Sequence, residues 1–416
     1  MPDTPLDLAR VQRRTVLVLA IGQVLGGIAF GATLSLGAVI AADVSGDDAF
    51  AGLATAAVTF GTALVALPLA ALARRRGRAI SLATGMTVAL AGVVLLIVAT
   101  GARIFPLLLL ALALIGAGQA ANLQSRFAAA DLATDATRGR SLSLVVWATT
   151  IGAVAGPNLA GPGEALGAAW GMPPLTGPYV FTVVGQLLAI ALYLVALRPD
   201  PLLLAQRLST DAASDPSVDT IEHPDRPARA RYAIFAVAAV HVVMVSVMAM
   251  TPVHLLHHGA TLSVVGLTLS LHVAGMFALS PVFGLLADRF GRAPTILLGQ
   301  ALLVTALLVA SAGADDMTAV TVGLVLLGLG WSATTVAGSA LLTESSAERL
   351  RTRRQGFSDF AMSIVGASGA ITAGLLLGAI GYAGLALAAL LVVAATVALV
   401  PIAWTGRTAS APASAT

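Results

Sequence analysis

Apolar runs of spanning length recur from Val16 to Trp404 and constrain the fold more than anything else in the chain. In hydrocarbon every backbone N–H and C=O must be satisfied internally, so a spanning segment is a helix or a strand of a closed barrel. Barrel strands alternate apolar and polar residues, whereas these runs are continuously apolar, so helices are expected. A crossing takes about 20 apolar residues. On that rule spans fall near 16–41, 49–73, 79–100, 104–130, 140–168, 178–198, 231–257, 263–287, 293–313, 317–343, 354–380 and 383–404. The expected class is therefore an all-α membrane protein with twelve transmembrane helices. Charged residues make up only 10% of the 416 positions, which leaves little to solvate a surface outside the membrane.

Arginine supplies all 23 basic residues, and their placement predicts the orientation. Arg10, Arg13 and Arg14 precede the first span, Arg74, Arg75, Arg76 and Arg78 follow the second, and Arg138 and Arg140 follow the fourth. Arg289 and Arg292 follow the eighth, Arg349 to Arg354 follow the tenth, and Arg103 alone falls on the other side. By the positive-inside rule both termini are expected in the cytoplasm of a multi-pass protein of the bacterial inner membrane. The high isoelectric point then reflects topology, and no nucleic-acid partner is expected. The first run is too long for a cleaved signal and reads as a span. With no cysteine, disulfides and thiolate ligands are excluded.

The polar stretch 199–230 separates an N-terminal bundle, 1–198, from a C-terminal one, 231–416, and reads as a solvated cytoplasmic linker. An internal repeat supports the division. Pro68, the run Ala73 to Arg78 and Gly85 recur at matching spacing as Pro281, the run Ala287 to Arg292 and Gly299. The expectation is two pseudo-symmetric six-helix bundles.

The run Gly284, Leu285, Leu286, Ala287, Asp288, Arg289, Phe290, Gly291, Arg292 resembles the signature loop of the major facilitator superfamily, found between the second and third helices of each half. The resemblance implies an alternating-access carrier rather than an enzyme, with this loop as a conformational latch. In the first half Arg74 stands where the acid would be, which puts the usual role of that loop in question. On the fifth span Gly152, Gly156 and Pro157 are similar to the glycine-proline motif of antiporters in the superfamily. Small residues at that spacing also serve close helix packing.

Met244 and Met248 on the seventh span, and His272 and Met276 on the eighth, are each spaced to share one helix face. A hairpin with its apex near Ala260 would set Met248 beside His272 and Met244 beside Met276. Thioethers and imidazole suit Cu(I). Methionine is also a filler of helix interfaces, so packing is the competing explanation for the Met pair. An imidazole at mid-membrane is costly and is a functional candidate. These paired motifs are similar to those of the CcoA-like copper importers, a branch of the superfamily. What that resemblance implies is uptake of Cu(I) or a small copper complex, with these four residues as ligands to the cargo and no resident cofactor.

His254, His257 and His258 are candidates for capture at the outer mouth or for interfacial polar residues, and His241 for a release-side ligand or a helix-interface hydrogen bond. Asn122 and Arg126 share a face of the fourth span, and a buried arginine needs an acid, for which Asp131 and Asp359 are the candidates. Two alternatives stay open: a proton-coupled exporter of drugs or organic cations, and an importer of an organic solute such as riboflavin. No catalytic triad, paired carboxylate or phosphate loop stands out, and the expected partners are the cargo and the lipid bilayer, with the monomer as the working unit.

Overall fold

The computed structural model describes residues 7–46, 50–214, 225–260 and 262–404. The first half comprises α1 (Leu8–Ser45), α2 (Ala51–Arg76), α3 (Arg78–Ala102), α4 (Phe105–Ala128), α5 (Arg138–Asn158), α6 (Ala160–Ala169) and α7 (Tyr179–Ala196). After α8 (Pro201–Ser214), the second half comprises α9 (Pro227–His257), α10 (Leu262–Phe277), α11 (Ser280–Phe290), α12 (Arg292–Ala312), α13 (Met317–Glu344), α14 (Glu348–Ala398) and α15 (Pro401–Trp404).

Among the described residues nine stretches are long and apolar enough to cross a membrane. One of them, 348–404, contains two crossings, because Gly381 at φ 69° and ψ −178° interrupts α14. Before Gly381 the chain climbs beside α9, with Gly366 against His241 and Gly369 against Ser246. After it the chain descends, with Tyr382 bonded to Thr251 and Thr396 accepting from Tyr232. With α1 and α5 the twelve expected crossings are accounted for, and the fold is all-helical.

The internal repeat is a repeat of structure. Gly77 (φ 89°, ψ 170°) joins α2 to α3, and Gly291 (φ 101°, ψ 163°) joins α11 to α12 in nearly the same conformation. Positive φ is accessible to glycine without a Cβ clash, so a single residue turns one helix into the next. The arginine that follows each glycine reaches an acid just beyond, or at the end of, the fourth helix of its half. Arg78 donates through Nε to Asp131 at 2.8 Å and through Nη2 at 3.1 Å, and Arg292 donates through Nε to Glu344 at 2.7 Å.

Polar contacts between the halves cluster at the arginine-rich end. Asp288 of α11 accepts from the backbone N–H groups of Gly139 and Arg140, both at 2.8 Å, and so caps the first turn of α5 in the opposite half. A carboxylate is favoured there by the exposed donors and by the helix dipole. Arg292 adds bonds to Asp288 and to the Asp135 carbonyl, each 2.6 Å, while Arg78 reaches Gln355 at 2.7 Å. Ser280 donates to the Ser143 carbonyl at 3.1 Å. The protein is closed on this face.

Among the described residues the first-half loop makes no equivalent acid clasp, since Arg74 cannot accept from a helix N-terminus, and its bond across the halves is the one from Arg78 to Gln355. The corresponding end of α14 is held instead from its own half. Asp225 accepts from the Ala347 N–H at 3.0 Å and from Arg354 at 2.5 and 2.9 Å. The bond from Arg354 holds the Asp225 carboxyl below the usual carboxylate range.

The expectation of a solvated linker over 199–230 is corrected in part. Residues 201–214 form α8, whose Leu202 is buried. Asp200 initiates it by accepting from the N–H groups of Leu202 and Leu203, and also accepts from Ala79, which ties α8 to the start of α3. Leu202 and Ala205, one turn apart, give α8 an apolar side that coil would leave in water.

Candidate functional site

His272 lies fully buried on α10, where α10 and α13 come into backbone contact. A Cβ on Gly328 would fall 2.5 Å from the His272 carbonyl oxygen, and one on Gly275 would fall 2.8 Å from that of Val325. This approach brings the His272 Nδ1 to 2.7 Å from the Leu324 carbonyl oxygen. A carbonyl only accepts, so Nδ1 carries the proton and the neutral ring presents its lone pair at Nε2. Among the described residues that buried Nε2 has no hydrogen-bond partner. One turn away Thr268 bonds Thr321 at 2.8 Å, which fixes the same face of α10 on α13.

Met244 and Met276 are buried, and with the half-buried Met248 they share one apolar cluster with Leu324, Leu327 and Trp331. The expected close hairpin of the seventh and eighth spans is not what assembles them. α10 packs mainly on α13 and only lightly on α9, while α9 packs on α13 and α14. The glycine faces of α10 and α13 draw these two helices together, so α13 bridges the two pairs. Among the described residues no group of three or more His, Asp or Glu could hold a metal ion, so a metal in this cluster would rest on thioethers.

Three other histidines, His241, His254 and His258, are engaged. The Trp331 indole N–H donates to His241 Nδ1 at 3.1 Å, and the ring packs against Gly366, so the lone pair expected to serve release is occupied in this arrangement. His254 donates from Nε2 to the Ala314 carbonyl at 2.6 Å and stacks on Tyr382 at 4.2 Å. His258 donates from Nδ1 to the His254 carbonyl at 2.8 Å and sets Nε2 3.3 Å from Asp315. These two tie the end of α9 to the turn before α13, whereas His257 is exposed.

Below the methionine cluster a buried ion pair joins the halves. Arg126 of α4 donates through Nη2 to Asp359 of α14 at 2.6 Å. Among the described residues the pair is under-satisfied: Arg126 Nε, Asp359 Oδ2 and the neighbouring Asn122 Oδ1 are all buried without hydrogen-bond partners. The other candidate acid, Asp131, is taken by Arg78. Burial pushes the Asp131 carboxyl above the usual range, and the Arg78 guanidinium acts against that shift.

Of the motif residues, Asp288 and Arg292 form the clasp described above, and Gly284 lets α11 approach α5, since a Cβ there would lie 2.6 Å from the Gly139 carbonyl oxygen. Arg289 is exposed beside the Phe290 ring, 5.6 Å from its centroid. Gly152 meets Gly27 where α1 and α5 touch, while the side chains at Gly156 and Pro157 lie outside the described residues. Residues that sequence reasoning did not single out include Leu324, Tyr382, Gln355, Glu344 and Asp225. The repeat could have flagged Glu344, which falls where Asp131 does in the first half.

The sequence profile of the Major Facilitator Superfamily matches residues 19–259 and 233–415. The chain is 35% identical over 378 residues to the "Uncharacterized MFS-type transporter YddS" of Bacillus subtilis, covering 90% of this chain and 87% of that protein. It is 30% identical over 390 residues to the "Riboflavin transporter RfnT" of Brucella anthropi, covering 90% and 92%. Among solved structures, the human organic anion transporter MFSD10 superposes with a TM-score of 0.75 at 16% identity, covering 94% of this chain and 99% of that one. That likeness is one of fold.

Proposed function

The chain belongs to the Major Facilitator Superfamily, a family of membrane transporters, and on that premise we propose that it carries copper, as Cu(I) or a small complex, into the cytoplasm. The single observation that carries the reading is the His272 ring. Histidines that bind metal typically donate their second ring N–H to a carbonyl or carboxylate, which fixes the tautomer and aims the other nitrogen. Among the described residues His272 donates to Leu324 and keeps a buried Nε2 without a partner, on the helix whose Met276 shares an apolar cluster with Met244. A buried acceptor with no donor is costly, and a soft cation would relieve it without needing a deprotonated ligand. Met244, Met248 and Met276 are the proposed thioether ligands.

Placing the arginine-rich face in the cytoplasm follows the positive-inside rule. In that orientation the closed face is the cytoplasmic one, and copper would enter from outside. It would pass His254, His257 and His258, bind at His272 and the methionines, and leave past His241 when the Arg126–Asp359 pair and the Asp288 clasp open. A monovalent cation moving into a cell gains about 2.3 kcal/mol per 100 mV, so import can run without a second ion.

The riboflavin transporter among the relatives favours a second cargo, an isoalloxazine-type organic solute held in the same central region with the methionines as packing. Accumulation by intact cells separates the two. Cells expressing the chain should accumulate copper above vector cells, His272→Ala should return them to the vector level, and riboflavin uptake should not change. Met248→Leu, which keeps the bulk at a packing cost under about 1.5 kcal/mol, should lower copper uptake at normal protein abundance. Riboflavin accumulation without copper accumulation would replace the copper reading with the organic one, and full copper uptake by both variants would remove His272 and Met248 from the copper path.

A further inference from the structure

A groove of about 300 Å³ opens on the outer surface of the second half, at the arginine-rich end, between the first turns of α9 and the end of the last crossing. Its walls are Ala228, Tyr232, Phe235, Leu399 and Ile402, and its one charged lining residue is Arg231. We propose that this groove binds an anionic phospholipid of the adjoining leaflet.

Local structure explains the notch. Tyr232 is drawn inward by its bond to the Thr396 carbonyl, Ala228 is small, and the chain turns away at Val400 into α15. A notch on a membrane-facing surface is filled by lipid, and these apolar walls match the glycerol end of acyl chains. Its volume is at the lower end of the range for small-molecule sites. Depth is fixed by Trp404 and Arg231, residue types that sit at the headgroup level. Arg231 Nε donates to the Pro227 carbonyl at 3.3 Å, which anchors the guanidinium and leaves its terminal nitrogens to fork onto a phosphodiester. Among the described residues no carboxylate lines the groove, and Arg226 lies just before the start of α9. The sum favours a lipid with net negative charge over a zwitterionic one.

The test uses the purified full chain in detergent, with thermal midpoint as the readout during titration with phosphatidylglycerol, phosphatidylcholine or inorganic phosphate. Phosphatidylglycerol should raise the midpoint saturably, and the other two should not. Arg231→Gln should weaken the apparent affinity about fivefold, the worth of one basic residue at an anionic surface. Ala228→Phe, which fills the groove from an exposed position, should remove the saturable response while leaving the lipid-free midpoint in place. Equal shifts from phosphatidylcholine, a response to inorganic phosphate alone, or an unchanged phosphatidylglycerol response in both variants would overturn the proposal.

Discussion

Replacing Arg78 by alanine should destabilise the first half by about 3–5 kcal/mol, the range for removing one partner of a buried ion pair. Both side chains of the Arg78–Asp131 pair are 1% exposed, and the guanidinium makes two bonds to the carboxylate and a third to Gln355. Removing it strands Asp131 in a site whose burial already pushes that carboxyl up. A carboxyl with a raised folded-state pKa holds its proton more tightly when folded. The loss in the variant should therefore be smaller at pH 5 than at pH 8. Thermal midpoints of the purified protein across that range decide it. A loss that grows as the solution is acidified, or a midpoint equal to that of the parent, would sink this account of the pair.

The second large effect concerns the pair between the halves. Asp359→Asn keeps the volume but leaves the Arg126 cation buried with no counter-charge, and the protein can relieve this by opening its arginine-rich face to water. If the whole cost of about 3–5 kcal/mol went into that opening, the closed state would lose roughly two to three and a half orders of magnitude of its preference. The chain contains no cysteine, so a single introduced thiol is an unambiguous reporter. Ser143→Cys places it under Ser280, where the halves meet. A maleimide applied from the arginine-rich side should label this thiol much faster in the Asp359→Asn background than in the parent. Arg126→Met combined with Asp359→Leu should restore slow labelling, because replacing both charges by apolar groups is often nearly neutral. Equal labelling rates in all three backgrounds would remove the pair from the gate.

The spans, the repeat and the uneven distribution of arginine were legible because they depend on composition and order along the chain. Gly77 and Gly291 were legible too, since positive φ narrows the choice of residue. The surroundings of His272 were not, because its partner is the Leu324 carbonyl and a backbone acceptor has no sequence signature. The adjacency of α9 and α10 was over-read from their succession in the chain. Helix neighbours in hydrocarbon are chosen by small-residue faces, and Gly275 and Gly328 choose α13. The surroundings of His254 were hidden for the same reason as those of His272, since its partner is the Ala314 carbonyl. Helix α8 was hidden by Pro199 and Pro201, which look like the borders of a coil.

The unequal clasps at the two ends of the repeat have a mechanical consequence. Asp288 grips α5 across the divide, whereas Asp225 grips α14 from within its own half. When the halves rock apart, the second grip travels with its half and the first must let go. The fold is nearly two-fold, but only one of its two repeated loops grips a helix start of the opposite half through an acid, and Asp288 is the tongue of that bolt. Asp225 then acts as a strap that holds the inter-half tether to the moving body, and its lowered pKa keeps the strap charged at every pH above the ordinary carboxylate range. A change in tether length would be felt first at the start of α14, eleven residues before Asp359.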